Sequence, residues 1–264
     1  MKLPNIPGCF AALCMLTASM TAVAQRPAVV ALDNYHNHEI NKKTGQPFHY
    51  TWEDTLASGY SRWGGIFRQK QATLASLTAS PDQHNLRPFD ILIIVDPDTR
   101  AETADPHYIT PAEADAIEKW VRRGGVLVLL SNDSINCEFT HFNILATRFG
   151  MHFNPVSLLH VTGSHWEMGA LTEFPDHPVF QGVHKIYMKE TSSLSLSGAA
   201  RPVLTYQGHT LAAENHAGKG LVFAICDPWI YNEYIDHDHL TADFENRKAA
   251  ENLSGYLLSQ VHRK

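Results

Sequence analysis

Four apolar runs in this chain each stop abruptly at an acidic or amide residue. Residues 29–32 run into Asp33-Asn34, and residues 91–95 into Asp96-Pro97-Asp98. Residues 126–130 run into Ser131-Asn132-Asp133, and residues 221–226 into Asp227-Pro228-Trp229. Short, non-alternating, β-branched runs of this kind are strands buried on both faces of a parallel sheet. In open α/β sheets the ligand crevice lies outside the carboxyl ends of the strands. One sheet edge can therefore gather several carboxylates and a Trp in one place. Asp and Asn also follow strands for a local reason, because they make good turns and helix caps. Both readings stand at this level.

Between these runs the helix signals are clear. Thr110, Pro111 and Glu113 form a capping box with Pro at the first helical position, and Ile117, Trp120 and Val121 give that helix an apolar face. Gly124-Gly125 ends it immediately before the run at 126–130. A strand–helix–strand unit this tight requires a parallel neighbour. Helical spacing predicts further helices over about 61–77, 136–149 and 244–261. Segments 183–190, 192–196, 202–206 and 209–213 read as short strands, with Gln207-Gly208 as a hairpin turn. The long polar stretch 33–58 holds Tyr35, Phe48, Tyr50 and Trp52, an aromatic content that argues against disorder.

The amino-terminal segment reads as an export signal. Lys2 supplies a positive charge, an apolar stretch follows, and Ala22-Val23-Ala24 is a small-x-small cleavage site. The expectation is a signal peptide over residues 1–24, and a single α/β domain over 25–264 in the periplasm or outside the cell. The apolar stretch is too short to span a bilayer. The formal charge of −6, with no Lys/Arg cluster, disfavours a nucleic-acid partner. Beyond the signal, Cys137 and Cys226 are expected as free thiols. The 16 His residues include His36-Asn37-His38-Glu39 and Asp236-His237-Asp238-His239, but none lies in a standard zinc spacing. No metal and no cofactor is expected.

The nucleophile signals are weak. Ser131 sits at a strand-to-helix elbow without the flanking glycines, and Cys137 lies several residues further on. Paired carboxylates fit better, because glycoside cleavage needs one carboxyl as acid and another as base or nucleophile. Strand ends offer Asp33, Asp96, Asp98, Asp133 and Asp227, and loops offer Glu39, Glu53, Glu167 and Glu233. Several stand beside aromatics, as in Trp52-Glu53, Trp166-Glu167-Met168 and Trp229-Ile230-Tyr231-Asn232-Glu233-Tyr234. Aromatic faces pack on the C–H faces of sugars, and apolar neighbours raise a carboxyl pKa toward the range of a general acid. Core packing with capping acids accounts for the same motifs.

Leu32-Asp33-Asn34-Tyr35-His36-Asn37-His38-Glu39, His49-Tyr50-Thr51-Trp52-Glu53-Asp54 and Ser58-Gly59-Tyr60-Ser61 open a longer pattern. Ile94-Val95-Asp96-Pro97-Asp98-Thr99, the stretch 124–136, Trp166-Glu167-Met168-Gly169-Ala170 and the segment 227–234 continue it. The whole resembles an uncharacterised class I glutamine amidotransferase-like domain of exported bacterial proteins, often joined to unsaturated rhamnogalacturonyl hydrolases. That resemblance implies a flavodoxin-like three-layer sandwich: a mostly parallel central sheet with a β-rich insertion in the C-terminal half. It also implies a setting of pectin breakdown. Glutaminase chemistry is not implied, since the elbow holds Ser131-Asn132-Asp133 where an amidotransferase has Cys. The hydrolase's separate barrel does not fit in a chain of 264 residues, so none of its catalytic residues carries over.

The expectation is thus an exported carbohydrate-active protein acting on rhamnogalacturonan-type oligosaccharides. If it is an enzyme, Asp133, Glu167 and Asp227 carry the acid–base work. Asp33, Asn34, His49, Trp52, Asp98, Asn132, Trp166, Trp229, Tyr231 and Asn232 would hold the sugar. The alternative is a non-catalytic glycan-binding or accessory module that partners a separate glycoside hydrolase.

Overall fold

The computed structural model describes Met1 and residues 26–261. Beyond Met1, the export signal read over residues 1–24 lies outside the described residues. The elements follow in chain order as β1 (Val29–Asp33), α1 (Ser61–Gln69), β2 (Thr73–Leu77), β3 (Ile91–Val95), α2 (Pro111–Arg122) and β4 (Val126–Ser131). Next come α3 (Phe139–Ala146), β5 (Met151–Leu158), β6 (Ala170–Leu171), β7 (Ile186–Tyr187) and β8 (Thr191–Leu196). The chain closes with β9 (Arg201–Tyr206), β10 (His209–Ala217), β11 (Gly220–Cys226), α4 (Asn232–Ile235) and α5 (Asn246–Ser259).

Among the described residues one large sheet carries the order β2-β1-β3-β4-β11-β10-β8-β5, with β9 paired to β10. The strands from β2 to β11 are mutually parallel, and the pairings beyond β11 are antiparallel. The fold is α/β, and all four runs that end in acids or amides belong to the parallel part. Alternate residues of these strands enter two separate cores. Val30, Leu32, Ile91, Ile93, Val126 and Val128 pack on one side with α1 and α5. Ala31, Leu92, Ile94, Leu127 and Leu129 pack on the other with α2 and α3. A strand presents successive side chains to opposite faces, so unbroken apolar runs follow from helices covering both faces.

The capping box of α2 forms as expected: Thr110 accepts from the Glu113 amide, and the Glu113 carboxylate accepts from the Thr110 amide. Gln207 and Gly208 take φ of 47° and 81°, the doubly left-handed turn of a tight hairpin. The helix expected over 61–77 is instead a helix and a strand. Gln71 is left-handed at φ 63°. Its amide donates to Arg68 O at 2.9 Å, and the Ala72 amide donates to Phe67 O at 3.0 Å. These two bonds are a Schellman stop with Gln where Gly is usual. Leu74, which continued the helical spacing, pairs with Val30 in β2. Strand β5 has no sequence counterpart, because Pro155 breaks its pattern; as an edge strand it tolerates the missing N–H. Of segment 183–190, only Ile186–Tyr187 is strand.

Candidate functional site

The carboxyl ends of the parallel strands lie side by side, with Val95 opposite Leu130 and Cys226 opposite Ser131. The ladder gains one further bond at each junction. The Asp96 amide donates to Leu130 O at 2.8 Å, and the Asp227 amide to Ser131 O at 2.9 Å. Both aspartates then turn left-handed, at φ 41° and 49°. A non-glycine residue there is uncommon, and such strain concentrates at functional sites.

Of the strand-end aspartates, Asp33 is placed differently from Asp96 and Asp227. Asp33 accepts the Tyr35 and His36 amides and holds His36 Nδ1 at 2.7 Å. His36 is fully buried, and its Nε2 lies 3.7 Å from Glu113. Burial alone would lower the His36 pKa, but Asp33 and Glu113 outweigh it and raise the imidazole to about 9. Burial likewise opposes ionisation of Glu113, yet His36, Ser80 and Thr110 hold its carboxyl at about 2. This ion triad fastens the loop after β1 to the first turn of α2.

Asp96 accepts from Tyr50 Oη at 2.8 Å and from Asn132 Nδ2 at 3.1 Å. Burial pushes its carboxyl well above the usual range despite those bonds. Burial does the same to Asp227, against the Lys189 amide that its carboxyl accepts at 3.1 Å. Tyr50, Tyr60 and Tyr231 pack beside them, with Tyr60 and Tyr231 stacked at 5.6 Å. Asp96 Oδ1 and the hydroxyls of Tyr60 and Tyr231 are buried without protein partners. The pair is enclosed beside Tyr50 and Tyr60 of the loop 48–60, and burial opposes ionisation of both carboxyls.

Beside it opens a pocket of about 390 Å³ over the ends of β1 and β2. Asn34, Asn37, Thr51, Ser76 and Thr78 supply its amides and hydroxyls, Ile40, Pro47 and Phe48 an apolar wall, and Glu39 and Glu53 its acids. Asn37 is 3% exposed; its Nδ2 donates to Asp96 O at 2.8 Å, fixing the amide, while its Oδ1 has no partner. Asn34 Nδ2 is also buried without a partner. A buried polar atom left unpaired costs about 1–3 kcal/mol, so these two atoms are a local cost the fold carries beside the pocket. Burial, followed by the charges of Glu102 and Asp98, raises Glu39 to about 7. Asp98, itself raised by burial, accepts the His38 amide at 3.1 Å and Thr103 Oγ1 at 2.8 Å. His38 stacks on His107 at 4.3 Å, and His107 on Tyr35 at 4.1 Å. Among the described residues no trio of His, Cys, Asp or Glu is arranged to hold a metal ion.

Only Asn34 of the residues singled out for sugar contact lines this pocket. Asp98 reaches it through His38, and Asn132 reaches it through the bond to Asp96. His49 is left-handed, at φ 59°, and bonded to Ser58 behind the Phe48 wall. Trp52 is core; its Nε1 donates to Ala75 O at 2.8 Å. Trp229 and Tyr231 are core as well. Asn232 is structural: its Nδ2 donates to Asp54 O and Leu56 O at 2.9 Å each, tying down the loop before α1. The acid–base candidates do not converge. Asp133 caps its own turn, accepting the Ile135 and Asn136 amides at 3.0 and 3.1 Å. Glu167 is exposed and pairs with Lys185 at 2.7 Å, while Trp166 lines a separate surface pocket beside it. Asp227 is enclosed. Ser131 Oγ shares a bond with Ser192 Oγ at 2.7 Å, and burial drives the Cys137 thiol well above its ordinary value. Cys137 and Cys226 are both free and buried.

Sequence reading counts Glu39 among the loop carboxylates without selecting it for the site, and it passes over Asn37 as a contact residue. Both lie in a loop with no strand or helix period, and only their burial distinguishes them from solvated neighbours.

No family model matches the sequence, and no curated protein matches it. Solved structures match its fold. The mmIFT52 N-terminal domain is 13% identical at a TM-score of 0.62, covering 88% of this chain and 98% of its own. Cytoplasmic protein STM1381 from Salmonella typhimurium LT2 is 14% identical at 0.57, covering 87% and 99%. The exo-β-1,4-mannosidase Op5Man5 from Opitutaceae bacterium strain TAV5 is 14% identical at 0.51, covering 88% of this chain and 36% of the mannosidase. At these identities the likeness is one of α/β fold.

Proposed function

We propose that this chain is an exported carbohydrate-active protein of pectic-oligosaccharide breakdown that seats one sugar unit in the pocket over β1 and β2. One observation carries the reading. The pocket is lined by the amides Asn34 and Asn37 and the hydroxyls of Thr51, Ser76 and Thr78, together with Ile40, Pro47 and Phe48 and the acid of Glu39. Amides and hydroxyls combined with an apolar wall suit a ring that carries both hydroxyls and C–H faces. The order β2-β1-β3-β4-β11 matches the strand order of flavodoxin-like sheets, and the pocket lies outside the carboxyl ends of β1 and β2, on the side of an open α/β sheet where ligands bind. This supports the amidotransferase-like fold implied by the sequence resemblance, and the glycan setting that goes with it.

As an enzyme, the protein would hydrolyse a glycosidic bond with Glu39 as general acid. A carboxyl raised to about 7 by burial holds its proton near neutrality and can pass it to a leaving oxygen. Glu53 on the rim is the second carboxyl. The enclosure of Asp96 and Asp227 favours a second reading, a non-catalytic binding module partnering a separate hydrolase. Titration with pectic oligosaccharides, followed by analysis of the mixture for cleaved products, separates the two. Binding with products that disappear in Glu39→Gln supports hydrolysis; binding without products supports the module. Wild-type binding retained in Asn37→Ala would remove the pocket from either role.

A further inference from the structure

We infer that His38 is the general base of this pocket, oriented by Asp98 and paired with Glu39 as the acid. The inference rests on the hydrolytic form of the reading above and assigns the base within it to an imidazole.

His38 lines the pocket beside Glu39, and two sides of its ring are fixed. Its Nδ1 is buried and lies 3.3 Å from Asp98 Oδ2, on a carboxylate that is wholly enclosed. The His38 amide and Thr103 Oγ1 donate to the same oxygen, at 3.1 and 2.8 Å. The Asp98 amide donates to His36 O at 2.9 Å, so the carboxylate is anchored to the loop it serves. One face of the His38 ring stacks on His107, with centroids 4.3 Å apart and planes 16° from parallel. His107 is itself locked. A carbonyl oxygen only accepts, so His107 Nδ1 carries the proton it gives to Tyr35 O at 2.8 Å.

The remaining edge of His38 is open. The side chain is 28% exposed although Nδ1 is buried, and Nε2 is accessible with no hydrogen-bond partner among the described residues. A carboxylate behind Nδ1 keeps the ring proton there and leaves the lone pair on Nε2, which is how an imidazole is oriented as a base. The contact to Asp98 is long, as catalytic contacts often are until substrate tightens them. Glu53 stands exposed on the rim, and no carboxylate or ring holds it as Asp98 and His107 hold His38.

In the step this pair supports, Nε2 takes a proton from a water molecule whose oxygen attacks the anomeric carbon. The bond from that carbon to the leaving oxygen breaks, and Glu39 passes its proton to that oxygen. The imidazolium then returns its proton to the Glu39 carboxylate through solvent. One water is consumed and both groups are restored.

Pectic oligosaccharides are the probe, with binding and turnover measured separately on the full chain. His38→Ala should keep affinity within about twofold and lose about 10²–10⁴-fold in kcat, the usual worth of a general base. Free imidazole should restore part of that rate, which a merely structural ring would not allow. Asp98→Asn, a change at the positioning residue, should lower kcat and leave KM unchanged. A second measurement needs no variant: diethyl pyrocarbonate should carbethoxylate His38 in the folded wild-type chain, as mapped by mass spectrometry, and bound oligosaccharide should protect it. Turnover retained in His38→Ala, turnover lost without rescue by imidazole, or a His38 that resists the reagent overturns this inference and leaves the sugar reading standing. Binding without products in the wild-type chain overturns it in favour of the module. Failure of the oligosaccharides to bind overturns the sugar reading and this inference with it.

Discussion

Tyr50 donates its phenolic proton to Asp96 Oδ2 across 2.8 Å, and both residues hold a left-handed backbone. The bond joins the loop after β1 to the end of β3; it favours ionisation of Asp96, which burial opposes more strongly. Asp96→Asn preserves an acceptor for Tyr50 and Asn132, and Asn tolerates the left-handed region. It should therefore change stability little. Asp96→Ala strands two buried donors and should cost about 2–4 kcal/mol, at about 1–3 for each group left unpaired. Denaturant midpoints of the two variants check this. Equal losses would mean that the negative charge, rather than the acceptor, matters.

The triad of Asp33, His36 and Glu113 makes stability depend on pH in two directions. The His36 pKa is raised from 6.5 to about 9, so its contribution is complete below 6.5 and is lost as pH rises toward 9. The Glu113 pKa is lowered from 4.5 to about 2, so its contribution is complete above 4.5 and is lost as pH falls toward 2. The triad's own contribution to stability should be constant between those limits. His36→Gln should flatten the alkaline slope, and an unchanged slope would place its origin elsewhere.

Glu39 acts with the opposite sign to Glu113. Its pKa rises from 4.5 to about 7 on folding, so the folded state binds the extra proton and loses stability as pH climbs between those values. The groups around it are Glu102 and Asp98, with His38 beside Asp98. Carbon-detected NMR of the side-chain carboxyl should titrate near 7. Glu39→Gln should remove that titration and raise stability at pH 8 relative to wild type. A titration near 4.5 would disqualify Glu39 as a general acid.

Glu167 and Asp133 should separate from the pocket in experiment. An exposed ion pair contributes about 0–1 kcal/mol, so Glu167→Gln should leave both melting temperature and sugar affinity unchanged. Asp133→Ala loses a turn cap worth about 1 kcal/mol and should keep wild-type affinity. Loss of affinity in either variant would extend the site to residues now assigned to turn and surface.

The sequence showed the parallel strands and the convergence of their ends because buried strands write long unbroken apolar runs. It showed α2 because a capping box is a local pattern. It hid β2, since Gln71 performs a stop normally written with glycine, and β5, since Pro155 interrupts its alternation. At the strand ends it marked Asp33, Asp96, Asp133 and Asp227 alike. Which of them ties down a loop, which is sealed in and which caps a turn depends on partners as distant in sequence as Tyr50 and Asp96. The aromatic motifs misled for a related reason: Trp52 and Trp229 sit beside acids in sequence while their rings face the core.

Strand β1 is the first strand among the described residues, and it pairs on both sides with strands that come after it, β2 and β3. The two unpaired amide atoms of the pocket follow it directly, and Asn37 is fixed by the Asp96 carbonyl at the end of β3. A chain still emerging from the ribosome therefore carries the pocket's amides long before it carries their support. Until the segment through Asp96 has been synthesised and docked, the pocket is incomplete. Under the proposed function, sugar affinity would double as a gauge of sheet completion, and a variant that misassembles the centre of the sheet would first register as a failure to bind.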